Sequence, residues 1–433
     1  MSSNAKAGEF QVAIIGGGLG GLALAIGLRR NHVRAHVYEA AAQFSEVGAG
    51  VVFGANAIRA LGLIDPALLA AYRKHATQNP PGAWLTYRHG MALRKGAPER
   101  GLQGGGEAGQ VFWQQYDHAE SGYVHRARLL DEMVELVPAG TASFNKKLAR
   151  VEEAPDGGLV LFFADGTTAA ADAVVGCDGI RSSTRAFVCG HAVQPAYSGQ
   201  YAYRHLFPRD VAIAALGRDR ALGMTLECGY GGYIIHYPVE GGSLVNMTAV
   251  RSDGGSGWSG DTWLEPTSCE AMLEDWRGWD PRLLELMARI DRPERRALFD
   301  LRHGAGYARG RVCLLGDSAH ATTPHNGAGA AMAMEDAYVL SGLLAEVSCL
   351  EDLDAAFKAY DAVRRPRTQR LIENSRLTGC TKSFMCTGVW DVPEKIREQL
   401  DLRYRWIWEV NLEEQLEDAK TLMRNQARAH PSL

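Results

Sequence analysis

The sequence predicts an α/β fold: a parallel-sheet domain, discontinuous in the chain, that holds an inserted, mostly antiparallel β domain and is followed by a helical C-terminal region. Three observations predict it. An apolar run from Phe10 to Ile15 opens into a glycine cluster and a small-residue helix. A second apolar strand, Val312 to Leu315, ends in a similar way at Gly316-Asp317, ahead of another small-residue helix. Between them, residues 188–299 change texture, with alternating strands in place of strand-glycine-helix units. The expected divisions are therefore 1–187 and 300–350 for the two parts of the first domain, 188–299 for the insertion and 351–433 for the helical region.

Phe10, Val12, Ala13, Ile14 and Ile15 are too uniformly apolar for a half-exposed strand and suit a parallel sheet covered on both faces. Gly16, Gly18 and Gly21 follow as G-x-G-x-x-G, between that strand and a helix carrying Leu22, Leu24 and Leu28. This is the context in which the motif marks a Rossmann-like dinucleotide site. The first glycine permits the turn, the second admits a pyrophosphate to the backbone, and the third lets helix and strand pack closely. Free N–H groups at the helix start then bind phosphate. Glu39 closes the next strand, Ala35 to Glu39, where a carboxylate accepts hydrogen bonds from ribose hydroxyls. Gly104, Gly106 and Gly109 repeat the spacing without a preceding apolar strand, so they read as a loop.

Further along, small residues around Gly50 flank a short strand, Glu46 to Phe53, and either bring backbone to a ligand or form a tight hairpin. Asn56 opens a helical pattern, and residues 76–122 read as an irregular excursion from the first domain. Arg126 starts a helix through Leu129, Leu130 and Met133, set either against a phosphate or in solvent. Strands follow at Leu148–Glu152, Leu159–Phe163 and Ala173–Val175, the last ending in Cys177-Asp178-Gly179. The arginine-rich run Ile180 to Phe187 reads as a solvated face. Along Gln200 to Phe207, alternation puts Ala202, Arg204 and Leu206 on one face, and a charge among such neighbours wants an anionic partner. Two further strands, Tyr230–Val239 and Ser243–Val250, precede a helix expected over Glu270–Ile290. Past Leu315 come the loop Pro324 to Ala330 and a helix carrying Glu335 and Asp336. The aromatic stripe of Trp390, Tyr404, Trp406 and Trp408 reads as core or dimer contact.

A length of 433 residues suits two or three domains. A net charge of -4 points to neither nucleic acid nor an anionic membrane, and no apolar run reaches the length of a bilayer span. The polar start, Met1 to Glu9, lacks the apolar core of a signal peptide, and the final Pro-Ser-Leu lacks a peroxisomal signal's basic residue. Eight cysteines lie without zinc-like spacing and read as free thiols, so a cytoplasmic location is expected. Hydrolase, kinase and metalloprotease readings lack their G-x-S-x-G, P-loop and H-E-x-x-H motifs.

Gly16 to Gly21, Cys177-Asp178-Gly179 and Gly316-Asp317, in this order, resemble the three fingerprints of single-component FAD-dependent aromatic hydroxylases, most closely the salicylate-hydroxylase-like branch with its fungal phenol-dearomatising members. The likeness spans about residues 10–410. It implies an FAD-binding domain with an inserted substrate domain. Gly16, Gly18, Gly21 and Glu39 would hold the ADP half of FAD. Arg126 would contact the cofactor, Asp178 would take part in FAD and pyridine-nucleotide binding, and Asp317 would face the ribityl-pyrophosphate region. The loop with Gly327 and Gly329 would run beside the isoalloxazine. The implied cycle uses NADPH or NADH transiently and O2, forms a flavin C4a-hydroperoxide, and transfers OH to a small phenolic substrate, with decarboxylation or dearomatisation as variants.

Candidates to hold the phenolate are Arg204 and Tyr237, which match positions in the dearomatising relatives; the alternatives are a salt-bridged surface arginine and a core tyrosine. His325 lies in the loop expected to face the flavin, and His236, Tyr203 and Arg251 are weaker candidates. No metal is expected, and the protein is expected to be a monomer or homodimer. A flavin-dependent dehydrogenase or oxidase, and an NAD-binding protein without redox turnover, are the rival readings.

Overall fold

The computed structural model describes residues 10–45, 50–78, 85–93, 106–116, 121–155, 157–260 and 262–429. The expectations for Met1–Glu9, Glu46–Ala49, Gly104 and the final Pro-Ser-Leu lie outside them. A six-stranded sheet runs in the order Ala308–Arg309, Val312–Leu314, Ala173–Gly176, Gln11–Ile15, Arg34–Tyr38, Ala142–Ser143. All neighbours are parallel except the first pair. The strand Gln11–Ile15 is covered on both faces, as its composition demands. Val12 and Ile14 pack with Leu22, Leu24 and Ile26 of the helix Leu19–Arg30. Ala13 and Ile15 pack instead on Leu148, Leu161 and Phe163, from a small antiparallel sheet.

Register is what positions the site. Ile15 lies opposite Tyr38 and Gly176, and Gly176 lies opposite Leu314. Four chain segments therefore leave the sheet side by side at its carboxyl edge: Gly16 onward, Glu39, Cys177 onward, and Leu315 onward. Ligands of open α/β folds bind at that edge.

An eight-stranded sheet forms the second layer, in the order Leu264–Pro266, Glu294–Asp300, Ala196–Pro208, Leu244–Ser252, Gly232–Val239, Thr225–Gly229, Leu85–His89, Val111–Gln115. Only Thr225–Gly229 and Leu85–His89 pair in parallel. The excursion before residue 123 thus supplies two strands of this sheet rather than irregular coil. Tyr201, Tyr203 and Phe207 pack against a helical layer with Met272, Leu283 and Leu286, which leaves Arg204 on the opposite face.

The helix expected over Glu270–Ile290 is broken into Cys269–Asp275 and Pro281–Met287. Gly278 has φ +85°, and the Asp280 side chain caps the second helix by accepting from the Arg282 N–H, with Pro281 at its first position. The arginine-rich run is also not a simple solvated face. Arg185 is buried and donates to the carbonyls of Ile180, Val193 and Ser318. Among the described residues, no helix is long and apolar enough to cross a membrane.

Candidate active site

Crowding at the sheet edge explains the first glycines. Gly16 has φ +101°, and a Cβ there would lie 2.5 Å from the Cys177 carbonyl oxygen. A Cβ on Gly21 would press on the Gly16 carbonyl oxygen, so turn and helix approach only without side chains. Gly18 is the N-cap of the helix Leu19–Arg30 and offers no side-chain cap. The Glu39 carboxylate is drawn to this turn, accepting from the Gly17 N–H at 2.6 Å and the Ala41 N–H at 2.8 Å.

At the next strand end, Asp178 turns away from the edge. Its Oδ2 accepts from the N–H groups of Ser183 and Thr184 and from the Thr184 hydroxyl, and holds the start of the helix Thr184–Cys189. Its neighbour Gly179, with φ +74°, lines the cavity instead. The third strand end places Asp317 on the cavity wall with its surface accessible, after a Gly316 at φ +67°. Beyond it Pro324–Asn326 forms a tight helical turn, closed by Gly327 at φ +62°. The helix Gly329–Leu344 then starts without a side-chain cap, so its first N–H groups open on the same cavity.

The cavity lies between this edge and the eight-stranded sheet. Gly18, Gly50, Arg126, Asp317, Gly327 and Gly329 line it from the parallel-sheet side, and Arg204, Tyr237 and His325 line it as well. Gly16, Gly21, Glu39 and Asp178 do not line it. Arg204 pairs across to Thr248, Thr248 to Ile235, and Asn246 lies between Leu206 and Tyr237, so Arg204 and Tyr237 share one face. Arg204 keeps accessible surface, yet that surface belongs to the cavity. The surrounding protein lowers its guanidinium pKa by desolvation. Among the described residues no hydrogen bond or ion pair engages it.

Tyr237 is buried; its hydroxyl donates to the Gly50 carbonyl at 3.0 Å, and a Cβ on Gly50 would meet its ring at 2.6 Å. Burial, partly offset by the Arg204 charge, pushes its phenol up to about 12. His325 is buried with Nδ1 2.7 Å from the Tyr233 hydroxyl. Desolvation, and secondly the Lys382 charge, bring its pKa down to about 3.

The three weaker candidates face elsewhere. His236 is buried beside Glu227, which is bonded to Arg220. The Tyr203 hydroxyl donates to Asp275 on the helical face. Arg251 donates to the Tyr230 carbonyl and lines a separate cleft with Phe384 and Trp390. Sequence reasoning missed Lys382 and Tyr233, and assigned Tyr404 to core or dimer contact, although all three line the cavity. A lone lysine at a helix end carries no signal in a sequence. The only hint lies one turn earlier, at Gly379, where a Cβ would meet the His325 ring at 2.6 Å.

Behind the cavity a buried ion cluster ties the helices. Arg364 donates to Glu335 and Asp336 at 2.7 Å each, Arg367 and Asn56 donate to Glu335, and Asp336 accepts from the Gly316 N–H. His320 Nε2 lies 2.5 Å from Asp336.

Comparison with known proteins agrees with this architecture. Residues 297–375 match the FAD binding domain family. The chain is 38% identical to 6-methylsalicylate 1-monooxygenase of Aspergillus terreus, over 95% of this chain and 92% of that protein. It is 36% identical to salicylate hydroxylase of Pseudomonas putida, over 95% and 94%. A solved salicylate hydroxylase substrate complex superposes with a TM-score of 0.82 at 30% identity, covering 95% of this chain and 98% of that one. The chain belongs to the single-component FAD-dependent aromatic hydroxylases. It is an FAD-dependent monooxygenase. The residues present fit the cofactor of this hydroxylase. Two helix starts without side-chain caps open on one cavity, where free N–H groups suit anionic phosphates or an electron-rich ring edge.

Proposed function

We propose that this hydroxylase acts on a phenolic aromatic compound of the salicylate or resorcylate kind, with O2 as oxygen donor and NADH or NADPH as transient reductant. The observation that carries the reading is Arg204, a cation on the cavity wall with no ion pair among the described residues, on the same sheet face as Tyr237. An ionised phenol is the partner it lacks. Ionised oxygen also makes the ring electron-rich enough to accept an electrophilic hydroxyl group. The names of the relatives, 6-methylsalicylate 1-monooxygenase and salicylate hydroxylase, support the same class.

Bound FAD would supply acceptance of hydride and activation of O2. Gly16, Gly18, Gly21 and Glu39 would hold its ADP half, Arg126 and Asp317 its pyrophosphate and ribityl region, and Gly50, Gly327 and Gly329 would bring backbone to its ring. Asp178 would act indirectly, by fixing the turn that carries Gly179. Arg204 would neutralise the phenolate. Tyr237, protonated at working pH, has one hydrogen to give, to the Gly50 carbonyl or to the phenolate. His325 stays neutral and adds no charge to the wall.

The test is turnover of the FAD-loaded protein with NADH or NADPH under labelled oxygen, against salicylates, resorcylates and acylphenols. One labelled oxygen atom in the product is expected, and product mass separates simple from decarboxylative hydroxylation. Hydrogen peroxide and an unlabelled, dehydrogenated product, formed with O2 and without consumption of NADH or NADPH, would replace this reading with that of an oxidase.

A further inference from the structure

Lys382 ends the long helix Asp352–Lys382 and is 2% exposed, yet it lines the cavity. Its Nζ donates to the His325 carbonyl at 2.6 Å and to the Tyr404 hydroxyl at 3.1 Å. An ammonium has three N–H donors, so one remains. Among the described residues no carboxylate pairs with it. The ring faces of Tyr233 and Tyr404 lie 5.4 and 5.7 Å away, a weak compensation. Nor does it cap its own helix, since the carbonyl it reaches belongs to the loop Pro324–Asn326. Burying an ammonium without a counter-ion is costly, and an anion brought into the cavity would offset that cost.

Among the described residues that line the cavity, Arg204 is a second cation without an ion pair. Arg204 interacts electrostatically with Tyr237, Arg296, Tyr233 and Arg126, and Lys382 sits over the Tyr233 ring and beside His325, so the two cations border the same tyrosine. Tyr233 and His325, bonded to each other, form a neutral wall next to Lys382. We propose that Lys382 is the specificity-determining residue of this cavity, its ammonium receiving a carboxylate or a second ionised oxygen of the aromatic substrate while Arg204 receives the phenolic oxygen. The inference rests on the proposed phenolic substrate and names what else that substrate carries. A lysine that merely held the His325 carbonyl would not distinguish a charged from a neutral second substituent.

The experiment is equilibrium titration of the oxidised, FAD-loaded protein, read by the flavin absorbance, with salicylate and 6-methylsalicylate and with their neutral amides. Wild type is expected to bind the acids at least about tenfold more tightly than the amides, the scale of one charge-assisted contact. Lys382→Met is expected to weaken the acids by about 10- to 100-fold and the amides by less than about threefold, and Lys382→Arg to restore part of the preference. Equal weakening of acid and amide would reduce Lys382 to a support for the His325 loop and overturn the inference. If Lys382→Met fails to load FAD, the wild-type ratio decides, and a ratio near one overturns it. Phenols without a second anion that bind and are hydroxylated as well as the acids would sink this inference and leave the hydroxylase reading intact. If no phenol of either kind perturbs the flavin or stimulates reductant oxidation, both fail.

Discussion

A single arginine carries most of the substrate chemistry proposed for this hydroxylase. A charge-assisted contact of the kind Arg204 would make contributes roughly 1.5 to 3 kcal/mol. Arg204→Ala should therefore lower kcat/KM by about one to two orders of magnitude. Lysine should rescue only in part, because it restores charge without the planar fork. Flavin content should be unchanged, and retained kcat/KM at sub-saturating substrate would remove Arg204 from the pocket. His325 allows a test by pH. Its folded pKa, about 3, lies below the value of about 6.5 of an exposed histidine. The unfolded chain then binds the extra proton between those values, so stability is fully present above pH 6.5 and is lost as pH falls. Between pH 7 and pH 5 this one group should cost about 2 kcal/mol, and His325→Gln should lose about that much less over the same interval in urea unfolding. Equal losses in both proteins would assign the slope to other buried histidines. At this scale alternation along Gln200 to Phe207 made Arg204 legible from sequence, because a charge between Ala202 and Leu206 is conspicuous. Lys382 was not legible, since its meaning comes from a loop more than fifty residues away.

At the scale of elements, the helix Gly329–Leu344 is held by charge as much as by packing. Glu335, Asp336 and Arg364 are fully buried, and burial alone would raise the carboxylate pKa values. For Asp336, His320 and Arg364 outweigh that and hold the pKa at about 2. For Glu335, Arg364 and Arg367 likewise outweigh burial and lower the pKa. Removing one partner of such a cluster strands the others, at about 3–5 kcal/mol. Arg364→Met should therefore destabilise far more than Arg367→Ala, because after the second change Glu335 still has Arg364 and Asn56. Thermal melting of the two variants compares them directly, and equal shifts would mean that the cluster is not cooperative. Asp336→Asn should also loosen the Gly316 turn it accepts from, and so reduce flavin affinity. Glu335 and Asp336 are plain in the sequence, but their arginine partners lie in the next helix and Asn56 far upstream, so no local pattern announces the cluster. Local signals do explain the broken helix at Gly278 to Pro281, where a glycine and an Asp-Pro cap outweigh the apolar periodicity.

For the whole molecule, what the sequence made legible was the centre of the parallel sheet, because three of its strands, Gln11–Ile15, Ala173–Gly176 and Val312–Leu314, run into glycine-bearing turns. The eight-stranded sheet was half legible. Its long strands alternate, but Leu85–His89 and Val111–Gln115 join it from far upstream, and pairing over such separations is invisible to periodicity. The cavity is consequently assembled from residues spread over most of the chain, from Gly18 to Tyr404. The three turns at the sheet edge, near Gly16, Cys177 and Gly316, come from separate parts of the sequence and are brought into line only by register. FAD spanning them would bind the folded state and not the unfolded one. Such a ligand stabilises by about 2.7 kcal/mol at a hundredfold excess over its Kd. Protein stripped of FAD should therefore melt at a lower temperature and recover when FAD is added. Hydrogen exchange should then show renewed protection in all three turns together, together with the start of the helix Gly329–Leu344. Recovery of stability with protection confined to Gly16–Gly21 would mean that the cofactor engages the first turn alone, and that Asp317 and the Gly327 loop belong to the scaffold.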